Sequence, residues 1–464
     1  MTPSASRHHS NGVLFRLSQA AYVMGGTLVG RDEGVTSVVA DSRQASDGSL
    51  FFAIPGARVD GHDFIRDAFR RGAVCAVVNR GRALPETTHI AVDNTVTALG
   101  DLAAWHRSRM PAKVIGITGS TGKTSVKELT VAALSVHAKV HKTEGNLNTE
   151  IGVPLALFDL MPWHHLSVVE MGMRGLGQIA ELCRIASPTV GVVTSVGLVH
   201  VAEVGSPEAV AQAKGELVEA LPSDGAAILR VGDRWTNALR ARATCRVITF
   251  GPGGDVQVVH IEPAETHMEV SFTAFGRRVV GQIYALGRFQ AENAAAALAV
   301  AGALNLDVER AAAGLRNAAF PPQRMQTLRF GKVRVLADMY NANPDSMAAA
   351  LRTLAEMPAK RRVAVLGSML ELGEFAEQEH RSIGRLVAEL GVNELGVVGT
   401  EAGWIADAAL EASMPKEGVT RLETTEAAAE WLPGFVQDED LILIKGSRAL
   451  RMERLLDALA EARS

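Results

Sequence analysis

Three glycines, a lysine and several hydroxyl residues stand together in GITGSTGKTS at positions 116–125, between the apolar run KVIGIT and a helical pattern that opens near Lys123. Glycines let successive backbone N–H groups turn toward phosphate oxygens, and the following helix presents its N-terminal donors and positive dipole end. In such a loop Lys123 reaches the β/γ-phosphates and Thr124 offers its hydroxyl to Mg2+. Gly119, Ser120, Thr121, Gly122, Lys123, Thr124 and Ser125 are therefore the candidate ATP-binding residues, against the alternative of an ordinary glycine-rich turn. The match is a variant, because the strict pattern has a glycine five residues before Gly122, where this chain has Ile117. Lys127, one turn further on, reads as a helix-surface residue. A phosphate loop serves a GTPase switch, a kinase, a motor or a ligase equally well, so other parts of the chain must choose among them.

The elements that position this loop are those of an α/β protein. KVIGIT, LSVVE ending at Glu170, VGVVTSV at 190–196 and AAILRV at 226–231 read as strands with helical intervals, which predicts a mostly parallel sheet covered on both faces. Short alternating runs broken by glycines from 246 to 284 predict an antiparallel addition, and AENAAAALAVAGAL predicts a helix. Upstream, VTSVVADSR, SLFFAIPG and CAVVN predict the strands of a small α/β domain, joined onward by a helix from Thr95. Beyond the pair Pro321 and Pro322, KVRVLADM, RRVAVLG, LGVVG and DLILIKG are four strand candidates separated by helices, a second open α/β sheet. A chain of 464 residues exceeds what one core usually sustains, and the expected domains are 1–108, 109–320 and 321–464.

Composition narrows the classes. A net charge of -4 and the absence of a long basic block argue against nucleic acid as a partner. Cys75, Cys183 and Cys245 are odd in number and lack CxxC spacing, which fits a reducing compartment rather than a disulfide framework or thiolate metal site. The start MTPSASRHHSNG has no apolar signal region, and no uninterrupted apolar run reaches the ~20 residues of a transmembrane helix, so the expected location is cytoplasmic.

GITGSTGKTSVKE, EGNLNTEIGVPLAL at 144–157 and VVEMGMRGLGQIAELCRIASP at 168–188 resemble the Mur ligase family. DSRQASDGSLFFAIPG, YNANPDSM and VAVLGSMLELG are similar to its D-alanyl-D-alanine-adding branch, so the likeness spans all three expected domains. It implies a three-domain Mur ligase architecture: an N-terminal UDP-muropeptide-binding domain, a central P-loop parallel-sheet domain for ATP, and a Rossmann-like C-terminal domain that closes over the site. The implied cofactors are ATP and Mg2+, and the implied partners are UDP-N-acetylmuramoyl-tripeptide and D-alanyl-D-alanine. The implied chemistry is amide formation. A carboxylate is a poor electrophile, so ATP first converts it to an acyl-phosphate; the dipeptide amine then attacks, and a tetrahedral intermediate expels phosphate.

By the same resemblance Glu170 and His200 bind Mg2+, and both lie near predicted C-terminal strand ends, where open α/β sheets place ligands. A cap residue and a satisfied loop histidine are the plainer readings. Lys214 in EAVAQAKGELVEA matches a lysine that the family carbamylates into a carboxylate-like metal ligand; on its own it reads as a surface helix residue. Lys123, Lys214, His200 and Arg324 form the candidate catalytic set. Arg324 can offset growing phosphate charge, Asp338 can accept from ribose hydroxyls or orient a cation, and Asn293 joins them as a nucleotide contact. Candidate substrate contacts are Ser42, Arg43, Asn146, Thr149, Tyr340, Asn341, Asn343 and Lys445. Asp41 reads equally as an Asx motif, Asn341 and Asn343 as turn and N-cap residues before Pro344, and Lys445 to Arg448 in part as a glycine-mediated turn. Glu371 and His380 retain a family-like loop, or else cap it and pack on the next helix.

Three departures stand out. Where the family has GRHNxxN this chain has Gly287, Arg288, Phe289, Gln290 and Asn293; Ala337 replaces the first of a paired aspartate; and Ser368 replaces a usual aspartate. Competing readings are another amide-forming Mur ligase or a folylpolyglutamate synthase, a P-loop regulatory module, and an inactive scaffold descended from a ligase.

Overall fold

The computed structural model describes residues 12–56, 58–82, 84–199 and 201–463. The chain divides into two compact units, one of residues 1–116, 139–171 and 180–188, the other of residues 117–138, 172–179 and 189–464.

In the first unit a five-stranded sheet runs in the order Thr27–Val29, His89–Val92, Ala73–Asn79, Ser49–Phe52, Ser37–Val39. Its first pair is antiparallel and the others are parallel. Val39, Phe51, Ala53, Ile65, Ala68, Ala76 and Val78 make its buried core. The helix Thr95–Ser108 begins where expected because Asn94 caps it, accepting from the Val96 and Thr97 N–H groups. The strands Val140–Lys142 and Leu166–Glu170 pair in parallel, and the second of them ends on Glu170.

The strand Lys113–Thr118 leads along the chain into the second unit, where the glycine turn feeds the helix Lys123–Ser135. Val190–Val193, Ala226–Arg230 and Arg246–Phe250 follow; the last two pair in parallel, as do the first two. The antiparallel addition is confined to Val256–Pro263, Met268–Ala274 and Arg277–Ile283, a shorter stretch than the glycine-broken texture from 246 predicts. The expected alanine-rich helix is Arg288–Ala303, and it packs against Lys123–Ser135.

The C-terminal part of this unit holds six strands rather than four, ordered Gln326–Phe330, Val333–Asp338, Leu441–Lys445, Arg362–Gly367, Glu394–Val398, Val419–Leu422. The two unpredicted strands are the sheet edges. QTLRF and VTRL carry arginines and are half-exposed, so no apolar run announces them. Fully buried valines, isoleucines and leucines of the inner strands form the core, with Leu455 and Leu459 of the last helix packed on it. No helix among the described residues is long and apolar enough to cross a membrane.

Candidate active site

The phosphate loop is shaped by its glycines and by a second segment, Thr194 to Gly197. Gly119 (φ +150°) and Gly122 (φ +80°) take backbone conformations that favour glycine. A Cβ at Gly119 would overlap the Thr194 hydroxyl, and one at Gly122 would stand 2.8 Å from Asn293 Oδ1. The Ser120 N–H donates to Ser195 O at 2.9 Å, the Gly197 N–H to Ser120 Oγ at 2.8 Å, and the Thr121 N–H to Ser195 Oγ at 3.0 Å. Thr194 Oγ1 donates to Thr121 O. The loop is thus preorganised by bonds to its neighbour, while Lys123 Nζ donates to Gly119 O at 2.6 Å. Sequence reasoning missed this clamp, whose only signal was the hydroxyl pair of TSVG following a strand.

Lys127 is fully buried with the carboxylate of Glu128 3.4 Å away, which corrects the surface reading. Its helix is covered by Arg288–Ala303 and by Val308–Gly314, so no solvent face remains at that turn. Lys214 is likewise 2% exposed, on the helix Pro207–Glu219. Burial, reinforced by the Lys123 ammonium, holds its amine well below the ordinary lysine range. A surface role for Lys214 is therefore ruled out, and a neutral amine is the form that reacts with CO2.

Glu170 is 3% exposed at its strand end, where Asn148 Nδ2 donates to its Oε1 at 2.9 Å and its own N–H donates to Thr143 Oγ1 at 3.0 Å. Asn148, half-buried, is a residue that sequence reasoning passed over in favour of its exposed neighbours Asn146 and Thr149. The Thr149 hydroxyl accepts from the Gly152 N–H at 3.2 Å. His200 lies outside the described residues.

In the C-terminal part, Arg324 lies over the Tyr340 ring at 4.0 Å, and its Nε is buried with no hydrogen-bond partner among the described residues. Asp338 is engaged at both oxygens, by the Met325 N–H at 3.1 Å and by Lys445 Nζ at 2.6 Å. Lys445, 2% exposed, also donates to Asn341 O at 3.0 Å and so straps the turn that carries Tyr340 and Asn341. Asn343 is the N-cap of Pro344–Glu356, accepting from the Ser346 N–H at 2.9 Å. His380 is buried; its Nε2 accepts from the Met369 N–H and its Nδ1 donates to Ala376 O, a packing role in which burial lowers its pKa. Ser42 donates to Asp67 at 2.9 Å, while the exposed Arg43 pairs with Asp41, which also caps the local turn.

Family profiles match three stretches: the Mur ligase family catalytic domain over residues 34–107, the Mur ligase middle domain over 117–301, and the Mur ligase glutamate ligase domain over 323–448. A UDP-N-acetylmuramoyl-tripeptide--D-alanyl-D-alanine ligase of Synechocystis sp. is 36% identical over 447 residues, covering 93% of this chain and 94% of the relative. The chain belongs to the Mur ligase family. Among solved Mur ligases, MurF from Acinetobacter baumannii superposes with a TM-score of 0.89 at 31% identity, over 96% of this chain and 98% of that one. A MurF ligase from Thermotoga maritima in complex with ADP gives 0.80 at 28% identity, over 92% and 98%. Against this Mur ligase background the departures are structural as well as chemical. Ser368 Oγ accepts from the Ala402 N–H at 3.1 Å, so the short hydroxyl caps a turn where the family places a carboxylate. Gln290 is buried, and Phe289 is half-buried beside Gly287.

Proposed function

We propose that this chain uses ATP to join D-alanyl-D-alanine to UDP-N-acetylmuramoyl-tripeptide in the cytoplasm, releasing UDP-N-acetylmuramoyl-pentapeptide, ADP and phosphate for peptidoglycan synthesis. The observation that carries the reading is full-length similarity to ligases of that name, together with a preorganised phosphate loop holding Lys123. The proposed division of labour is substrate binding by residues 1–108, ATP binding by 109–320, and a ligase domain at 321–464.

Gly119, Ser120, Thr121, Gly122, Lys123, Thr124 and Ser125 hold the phosphates, with Asn293, Arg324 and Asp338 as further nucleotide contacts. The unpartnered Arg324 Nε supports that role, since a buried guanidinium donor calls for an anion. The Thr124 hydroxyl and the Glu170 carboxylate are hard oxygen donors suited to Mg2+, and His200 and a carbamylated Lys214 complete the metal-binding set that the family resemblance implies. When bound, the metal offsets the charge of the phosphoryl group as it meets a carboxylate. Ser42, Arg43, Asn146, Thr149, Tyr340, Asn341, Asn343 and Lys445 remain the proposed substrate-facing set.

A carboxylate and a triphosphate repel, so the chain must supply donors fixed before the reagents meet. The clamp from Thr194 to Gly197 fixes the shape of the loop that carries Lys123. Incubation with ATP, Mg2+, D-alanyl-D-alanine and UDP-tripeptides bearing either meso-diaminopimelate or lysine tests the reading by mass spectrometry. Pentapeptide that appears only with dipeptide present is expected. ATP turnover that ignores both substrates would instead favour a P-loop regulatory module.

A further inference from the structure

The clamp on the phosphate loop is itself held by a third segment. The strands Val190–Val193 and Ala226–Arg230 pair in parallel, so residues 194–197 and 231–235 leave the sheet side by side. Within the clamp, Ser195 and Gly197 face the loop. Ser195 accepts from the Ser120 and Thr121 N–H groups, and Gly197 exchanges two bonds with the Ser120 hydroxyl, at 2.8 and 3.1 Å. Val196, between them, sends its N–H the other way, to Asp233 Oδ2 at 2.8 Å. The second oxygen of that carboxylate accepts from the Trp235 N–H at 2.9 Å, and the Asp233 carbonyl accepts from the Thr236 N–H at 3.0 Å, which seats Asp233 on its own turn.

With the Ser120 and Thr121 N–H groups committed to the clamp, the donors that meet phosphate are those of the first turn of Lys123–Ser135, and their direction follows the shape of the loop before them. We propose that Asp233 is a positioning residue for the phosphate site: it grips Val196 and, through Ser195 and Gly197, fixes the loop, so its effect falls on the phosphate tail of the nucleotide. A carboxylate suits the task because two N–H groups need two acceptors, and bonds to a charged acceptor are stronger than neutral ones, whereas an amide has one oxygen. Its negative charge by itself opposes the binding of phosphate, so a role in geometry and a role in charge predict opposite effects of removing it. The inference rests on the ATP-site reading given above and adds to it a residue from outside the glycine motif.

The test is calorimetric titration of the full chain, with Mg2+, by the non-hydrolysable β,γ-imido analogue of ATP and by AMP, which lacks the phosphates that Lys123 reaches. Asp233→Ala is expected to weaken the ATP analogue about tenfold, the value of one well-made hydrogen bond, and to leave AMP unchanged. In turnover the same variant raises KM for ATP and leaves KM for UDP-tripeptide and for the dipeptide unaltered. Asp233→Asn keeps one acceptor oxygen and sets its amino group against the other N–H; it is expected to weaken the analogue about threefold and serves if the alanine variant does not fold. Equal losses for the analogue and AMP, or losses spread over all three substrates, mark a packing role and overturn the proposal. Unchanged binding of the analogue overturns it too, as does tighter binding, the sign of a carboxylate that acts only by repulsion. Because titration needs no turnover, the expected loss in a chain that forms no pentapeptide upholds this inference while the ligase reading fails.

Discussion

Lys214 is the residue whose environment says most about its chemistry. A lysine on a helix normally extends into water, but this one is buried, and burial together with the nearby Lys123 ammonium lowers its pKa and so favours the uncharged amine. That is the state required for carbamylation, which replaces a repelled cation with a metal-binding carboxylate. Lys214→Ala is expected to lower kcat on the order of a hundredfold. Added acetate or formate should restore part of it by occupying the vacated position, as followed by phosphate release coupled to pentapeptide. The sequence marks Lys214 only through resemblance, because burial of one lysine among a helix's polar positions is a tertiary fact. The same holds for Lys127, which reads as surface and lies in the core.

At the scale of elements, legibility followed burial. Inner strands such as Leu166–Glu170 and Leu441–Lys445 are buried at every position and appear in the sequence as mostly apolar runs. Edge strands such as Val419–Leu422 share their positions with solvent and charge, and were invisible. The phosphate loop was readable because its glycines answer a local backbone demand, whereas the Thr194–Gly197 clamp depends on contacts between segments distant in the chain. Asn343 shows how a local signal can hold two roles: its side chain caps Pro344–Glu356 by accepting from the Ser346 N–H, and its own N–H donates to the Ser346 hydroxyl oxygen. Asn343→Ala should cost about 1 kcal/mol of stability, read as a lowered thermal midpoint, while Asn343→Asp should retain most of it.

For the whole molecule, paired carboxylates link the stability of the fold to pH. Asp60 is an instructive case: the N–H and ring of His62, with Arg82 alongside, hold its carboxyl down at about 2. A carboxyl depressed in the folded state stabilises above its unfolded pKa of 3.8, and that contribution is lost as pH falls from there toward 2. Asp60→Asn should therefore lower the thermal midpoint at pH 7 by the equivalent of about 1 kcal/mol, allowing for solvent screening, and the gap to the native chain should close near pH 2. The central claim, that ATP activates the peptide carboxylate, is tested most directly by isotope transfer. With UDP-tripeptide labelled with 18O in its terminal carboxylate, the account predicts one labelled oxygen in each released phosphate, formed together with pentapeptide. Unlabelled phosphate, released at the same rate without D-alanyl-D-alanine, would contradict it.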